Sequence, residues 1–120
     1  MYKYFKEKLV ALGFKECVED LFSMVTDIKL FSTYTHLQVF ACFKDGKCYL
    51  KDNGDIVEAF DAPDIDIEYM LGEIASKLKE YGCELSVSNI VKETGINSLE
   101  NDLKSFIQAV KIIDQMYKEL

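Results

Sequence analysis

The chain has 120 residues and a mass of 13.8 kDa, with 49% hydrophobic and 29% charged residues and a formal net charge of −7. That balance describes a single domain over residues 1–120 that can bury a core, and it argues against disorder and a membrane-spanning chain. All 14 basic residues are lysines, set against 21 acids, so direct nucleic-acid binding is disfavoured: the net charge opposes counterion release, and no arginine is present to read guanine.

The charge is unevenly placed. Residues 1–51 sum to +2 and residues 77–120 to −1, whereas residues 52–76 hold eight acids and no lysine. Four cysteines, Cys17, Cys42, Cys48 and Cys83, show neither C-x-x-C nor zinc-ribbon spacing, and reduced thiols are expected. Leu9-Val10-Ala11-Leu12 is too short and too flanked by charge for a signal-peptide core, and no run reaches the ~18 apolar residues of a membrane helix. The expected location is cytoplasmic, away from any membrane.

In chain order, residues 1–12 read as a helix, with Phe5, Leu9 and Leu12 on one stripe and Gly13 as its stop. Residues 14–26 fit a second helical stretch through Val18, Leu21, Phe22 and Val25, or an irregular approach to a strand; the helix is preferred. From 27 to 60 the period becomes two: Ile28 and Leu30, then Leu37 to Phe43, then Cys48 and Leu50, then Val57 and Ala59. Asp45-Gly46 and Asn53-Gly54 both suit the type I′ turn, which needs positive φ at its two central residues. Two-residue loops there put Phe43 opposite Cys48, Ala41 opposite Leu50 and Leu50 opposite Val57, all on one face of a four-stranded antiparallel meander.

The other face of that meander carries Phe31, Phe40, Tyr49, Ile56 and Phe60, with His36 and Cys42, and is too apolar to be simply solvated. A covering element is therefore expected: the N-terminal helix, a second subunit or a partner. Beyond Asp61-Ala62-Pro63 the period returns to 3.6, and Ile67, Met70, Leu71, Ile74, Leu78 and Tyr81 form a stripe capped by Asp64 or Asp66 and closed by Gly82. An extended Cys83–Leu85, a short helix over 88–94 and an Asn97/Glu100 capping box lead to a final helix over 98–120. Its stripe from Leu99 to Leu120 alternates four and three apart, and at ~1.5 Å per residue it outruns four strands spaced ~4.8 Å apart. Part of that stripe therefore suits a homodimer contact. The expected fold is α+β, a four-stranded meander packed against C-terminal helices, with the N-terminal helix at an edge or against the aromatic face.

The meander end Cys48-Tyr49-Leu50-Lys51-Asp52-Asn53-Gly54-Asp55, the helix closing on Lys79-Glu80-Tyr81-Gly82-Cys83-Glu84-Leu85 and the terminal Phe106-Ile107-Gln108-Ala109-Val110 form one pattern. Over about residues 27–120 it resembles the short bacterial and prophage proteins of the domain-of-unknown-function family numbered 1828. The resemblance implies a small α+β protein of phage or mobile-element origin, acting by binding others, and brings no catalytic motif. The first 26 residues lie outside it.

The residues offer little catalytic chemistry. His36 lacks a second histidine or paired cysteine for zinc, and Cys42 lies six residues away along one strand, roughly 20 Å, too far for a nucleophile pair. Asp61, Asp64 and Asp66 lack the EF-hand pattern, and a solvated turn outweighs a calcium or magnesium site. No catalytic residue, metal ligand or cofactor is assigned. The expected working surface is the acidic set Asp52, Asp55, Glu58, Asp61, Asp64, Asp66 and Glu68, turned toward a protein partner with a basic nucleic-acid-binding groove. The alternative is a homodimeric scaffold or small-molecule sensor using the aromatic face.

Overall fold

A computed structural model describes residues 2–120. The elements, in order, are helix α1 (Tyr2–Ala11), strands β1 (Lys15–Val18), β2 (Leu21–Lys29), β3 (His36–Lys44) and β4 (Lys47–Lys51), the one-turn helix α2 (Asp55–Glu58), helix α3 (Ile67–Lys79), strands β5 (Glu84–Ser86) and β6 (Asn89–Thr94), and helix α4 (Leu99–Lys118). The fold is α+β. Its sheet is antiparallel and has six strands in the order β1-β2-β3-β4-β6-β5, so only β1 to β4 form a meander.

The Asp45-Gly46 turn sets the register that its chemistry demands. Both residues have positive φ, 54° and 78°, and Phe43 pairs with Cys48 and Ala41 with Leu50. Asn53-Gly54 behaves differently. Gly54 has φ 88°, but it caps α2 instead of closing a hairpin, so residues 56–60 are not the fourth strand. Two local bonds favour that outcome: the Asn53 side-chain oxygen accepts from the Asp55 N–H at 3.2 Å, and the Glu58 N–H donates to the Gly54 carbonyl at 3.1 Å.

Two other segments depart from the sequence expectation. Residues 14–26 hold the β1–β2 hairpin, turned at Asp20 with φ 63°, and not a helix. Val18 and Leu21 pair with each other on one face while Phe22 is buried on the other. Apolar residues on both faces erase the strict alternation of a half-buried strand and leave a spacing that mimics a helix. Residues 89–94 are strand β6, with Ile90 and Thr94 buried on the inner face and Lys92 between them. The Lys92 ammonium reaches the Tyr81 carbonyl at 2.8 Å, which lets a lysine occupy an inward position and obscures the period of two.

All four helices contribute to the core on one face of the sheet, which buries Phe22, Val39, Ala41, Cys48, Leu50 and Ile90. Helix α1 docks there toward the β1 edge, Phe5 stacking edge-on against Phe43 at 5.1 Å, and it leaves the opposite face uncovered. Gly13, φ 109°, ends α1, and the Phe14 N–H returns to the Leu9 carbonyl at 3.0 Å. Asp66 caps α3 by accepting from the Tyr69 N–H at 3.2 Å. Ser98, rather than Asn97, is the N-cap of α4; its hydroxyl donates to Asp102 at 2.7 Å and accepts from the Gly95 N–H at 3.3 Å.

Helix α4 spends its apolar stripe inside the molecule: Leu99, Leu103, Phe106, Ala109, Val110 and Ile113 are all buried. Its 20 residues span about 30 Å, and along that length it packs mainly on α3, β6 and α2. The far end is covered by Phe60, whose ring meets Tyr117 at 5.3 Å, and by the 31–32 backbone, whose N–H groups both donate to the Asp114 carboxylate at 2.9 and 2.8 Å. Strand β6, which the sequence does not reveal, and the turn around Phe60 thus cover part of the α4 stripe that suits a dimer contact.

Candidate interaction surfaces

The segment after β4 is built so that its carboxylates face outward. Ile56, Val57 and Phe60 are buried, and at helical spacing this turns Asp55, Glu58 and Asp61 to solvent. Successive turns close on themselves, Asp61 N–H to Glu58 carbonyl at 3.0 Å and Ile65 N–H to Ala62 carbonyl at 3.0 Å, and lead into the capped start of α3. Asp55, Glu58, Asp61, Asp64, Asp66 and Glu68 are all exposed, and none of them takes part in an ion pair among the described residues.

Asp52 does not belong to this surface. It is 1% exposed, and its Oδ1 accepts the Ile90 N–H at 2.8 Å while its own N–H donates to the Ile90 carbonyl at 3.3 Å. Its side chain therefore continues the β4–β6 pairing one position past the strand. The second carboxylate oxygen has no hydrogen-bond partner among the described residues. Burial pushes the Asp52 carboxyl up from 3.8 to about 6, against the lowering effect of the surrounding backbone N–H groups. It is a structural residue, which its position in an acid-rich run concealed.

The expected aromatic face also divides. Ile56 and Phe60 are core residues, 1% and 0% exposed, because the segment that carries them is α2 and not a strand. Phe31 lies in the β2–β3 connection with Tyr34 and Tyr117 at 6.2 and 6.3 Å, beside the end of α4. Phe40 and Tyr49 do point to the outer face, half-buried by their strand neighbours. They are joined by Val18, Leu21, Val25 and Val91, which the sequence reading missed along with the strands that hold them. A hollow of about 360 Å³ on this face is lined by Cys42, Tyr49, Lys51, Ser86, Asn89 and Val91.

His36 opens β3 at the surface, its Nδ1 3.0 Å from the Thr26 carbonyl. Cys48 and Cys83 are buried, and desolvation pushes their thiols up to about 12 and about 11, so both are neutral and poorly nucleophilic at pH 7. All four cysteines are free. Among the described residues no group of three or more His, Cys, Asp or Glu side chains is arranged to hold a metal ion, and no helix is long and apolar enough to cross a membrane.

Comparison with family models, with curated proteins and with solved structures finds no match to this chain.

Proposed function

We propose that this chain is a non-catalytic binding protein that engages a protein partner carrying a basic, nucleic-acid-binding groove. The working surface is the exposed acidic segment Asp55, Glu58, Asp61, Asp64, Asp66 and Glu68. One observation carries the reading: these six carboxylates are exposed, unneutralised by any lysine, and mounted on backbone that Ile56, Val57 and Phe60 anchor in the core. An array of fixed negative charge outside the sheet suits a groove evolved to hold phosphates, and it steers encounter as well as docking. A phage or mobile-element origin, and inhibition of a bacterial defence or nucleic-acid-processing factor as the biological role, belong to the same proposal.

The test is the combined substitution Asp55→Lys, Glu58→Lys and Asp61→Lys. All three positions are exposed, so folding is expected to survive, while the net charge changes from −7 to −1 because each swap adds two units. Partner capture is expected to be lost. Capture that is unchanged and insensitive to salt contradicts the reading.

The uncovered outer face of the sheet favours a second reading, a homodimeric scaffold or small-molecule sensor. Its residues are Phe40 and Tyr49 with Val18, Leu21, Val25 and Val91, no longer Ile56 and Phe60.

A further inference from the structure

The outer face of the sheet is a broad surface that no helix covers. Its exposed or half-buried apolar groups include Val18 and Val25, at 63% and 66% exposure, around the half-buried Phe40 and Tyr49. The strands contain 36 residues, and at about 3.3 Å by 4.8 Å each they present about 570 Å² of plan area. Two such faces in contact remove about 1,100 Å² in total, close to the lower limit of a specific interface. The edge strands β1 and β5 have four and three residues, too short to favour edge-to-edge pairing, so stacking of faces is the available route.

Charge on this face is asymmetric across the strands. One row of neighbours runs Lys15, Ser23, Phe40, Lys51, Val91, Glu84 from the β1 edge to the β5 edge. The row beside it places Leu21, Cys42, Tyr49 and Glu93 side by side. In the first row a lysine stands at the β1 edge and a glutamate at the β5 edge; in the second, Val18 stands at the β1 edge. A twofold axis parallel to the strands, between β3 and β4, lays β1 of one copy over β5 of the other.

From these observations we infer that the outer sheet face is a self-association interface, in which two copies stack about that axis. Lys15 then meets Glu84 of the second copy at both ends of the row, and Phe40 lies against Lys51 of the second copy, an arrangement suited to cation–π contact. In the adjoining row Cys42 packs on Tyr49, and Leu21 lies over Glu93 of the second copy. The other in-plane axis, perpendicular to the strands, lays β1 over β1, and when it runs along the first row it brings Lys15 onto Lys15 and Glu84 onto Glu84. An isologous interface requires self-complementarity, and the Lys15–Glu84 pairing is the feature that favours a second copy as the occupant. The inference rests on the second functional reading and is independent of the acidic surface.

Sedimentation equilibrium of the full chain from about 1 to 200 µM tests it, with a reversible monomer–dimer equilibrium expected within that range. Phe40→Asp is expected to leave a monomer throughout, with an unchanged circular dichroism spectrum. Glu84→Lys, at an exposed edge position that the fold does not depend on, is expected to weaken the dimer about 3- to 10-fold, and Lys15→Glu combined with it to restore the original affinity. A wild-type chain that stays monomeric overturns the self-association. A dimer abolished by Phe40→Asp but indifferent to Glu84→Lys overturns the twofold arrangement while leaving the sheet-face reading in place.

Discussion

Replacing Asp52 by asparagine changes the pH dependence of stability in a direction that the structure fixes. The carboxylate is buried, one oxygen is bonded to the Ile90 N–H, and the other is bonded to nothing. Its folded pKa, about 6, lies above the ordinary 3.8, so between these values the folded chain binds more protons than the unfolded one. Its contribution is therefore fully favourable only below about 3.8 and is lost as pH rises through about 6, a total of about 3 kcal/mol at ~1.36 kcal/mol per unit. Asparagine keeps the acceptor for Ile90 and does not titrate, although its amide N–H groups meet the site where Oδ2 finds no partner, at a cost of about 1–2 kcal/mol. The stability of Asp52→Asn relative to the wild type should thus rise by about 2–3 kcal/mol between pH 4 and pH 7.5. Urea unfolding followed by circular dichroism at both pH values measures it, and taking the difference between the two chains cancels the titration of every other carboxylate. A difference that is flat with pH, or that falls, refutes the argument that burial governs this group.

Two further predictions follow from local geometry. Val87 is 92% exposed with φ 56° in the turn between β5 and β6, a conformation that a β-branched residue adopts at a cost of roughly 1–2 kcal/mol, so Val87→Gly should raise the unfolding midpoint; a lowered midpoint contradicts it. In the native chain, Cys17 should react with iodoacetamide within minutes, whereas Cys48 and Cys83, neutral and buried, should react orders of magnitude more slowly, at rates set by opening of the fold. Peptide mass mapping of the alkylated chain reads this, and equal labelling of the three sites would show that the core is not closed.

What was legible in the sequence tracks how far each feature depends on neighbours in the chain. The β3–β4 register follows from one dipeptide, Asp45-Gly46, and from alternation on its two sides, both local properties. The stripes of α3 and α4 are local in the same sense, and so is the Asp66 cap. The errors arose where a distant partner decides. Asn53-Gly54 carries a hairpin signal, but the position beside β4 is taken by β6, whose Ile90 pairs with the Asp52 side chain and main chain from 38 residues away. Without that partner, Ile56 and Phe60 read as one face of a strand and Asp52 reads as part of the acidic surface. Lys92 faces inward because the carbonyls at the end of α3 receive it, and nothing near it in sequence reveals this. The remaining acidic positions are exposed because the apolar residues between them define an inward side, a pattern local to the segment.

The acidic segment 55–68 is proposed here as a working surface for a protein partner. Affinity capture from the native host at about 0.05 M and about 0.5 M salt, run in parallel with the wild type and the Asp55→Lys, Glu58→Lys, Asp61→Lys chain, tests it most directly. The expected result is a basic protein held by the wild type at low salt, weakened at high salt and absent from the triple variant. A partner retained equally by both chains at both salt concentrations would contradict it.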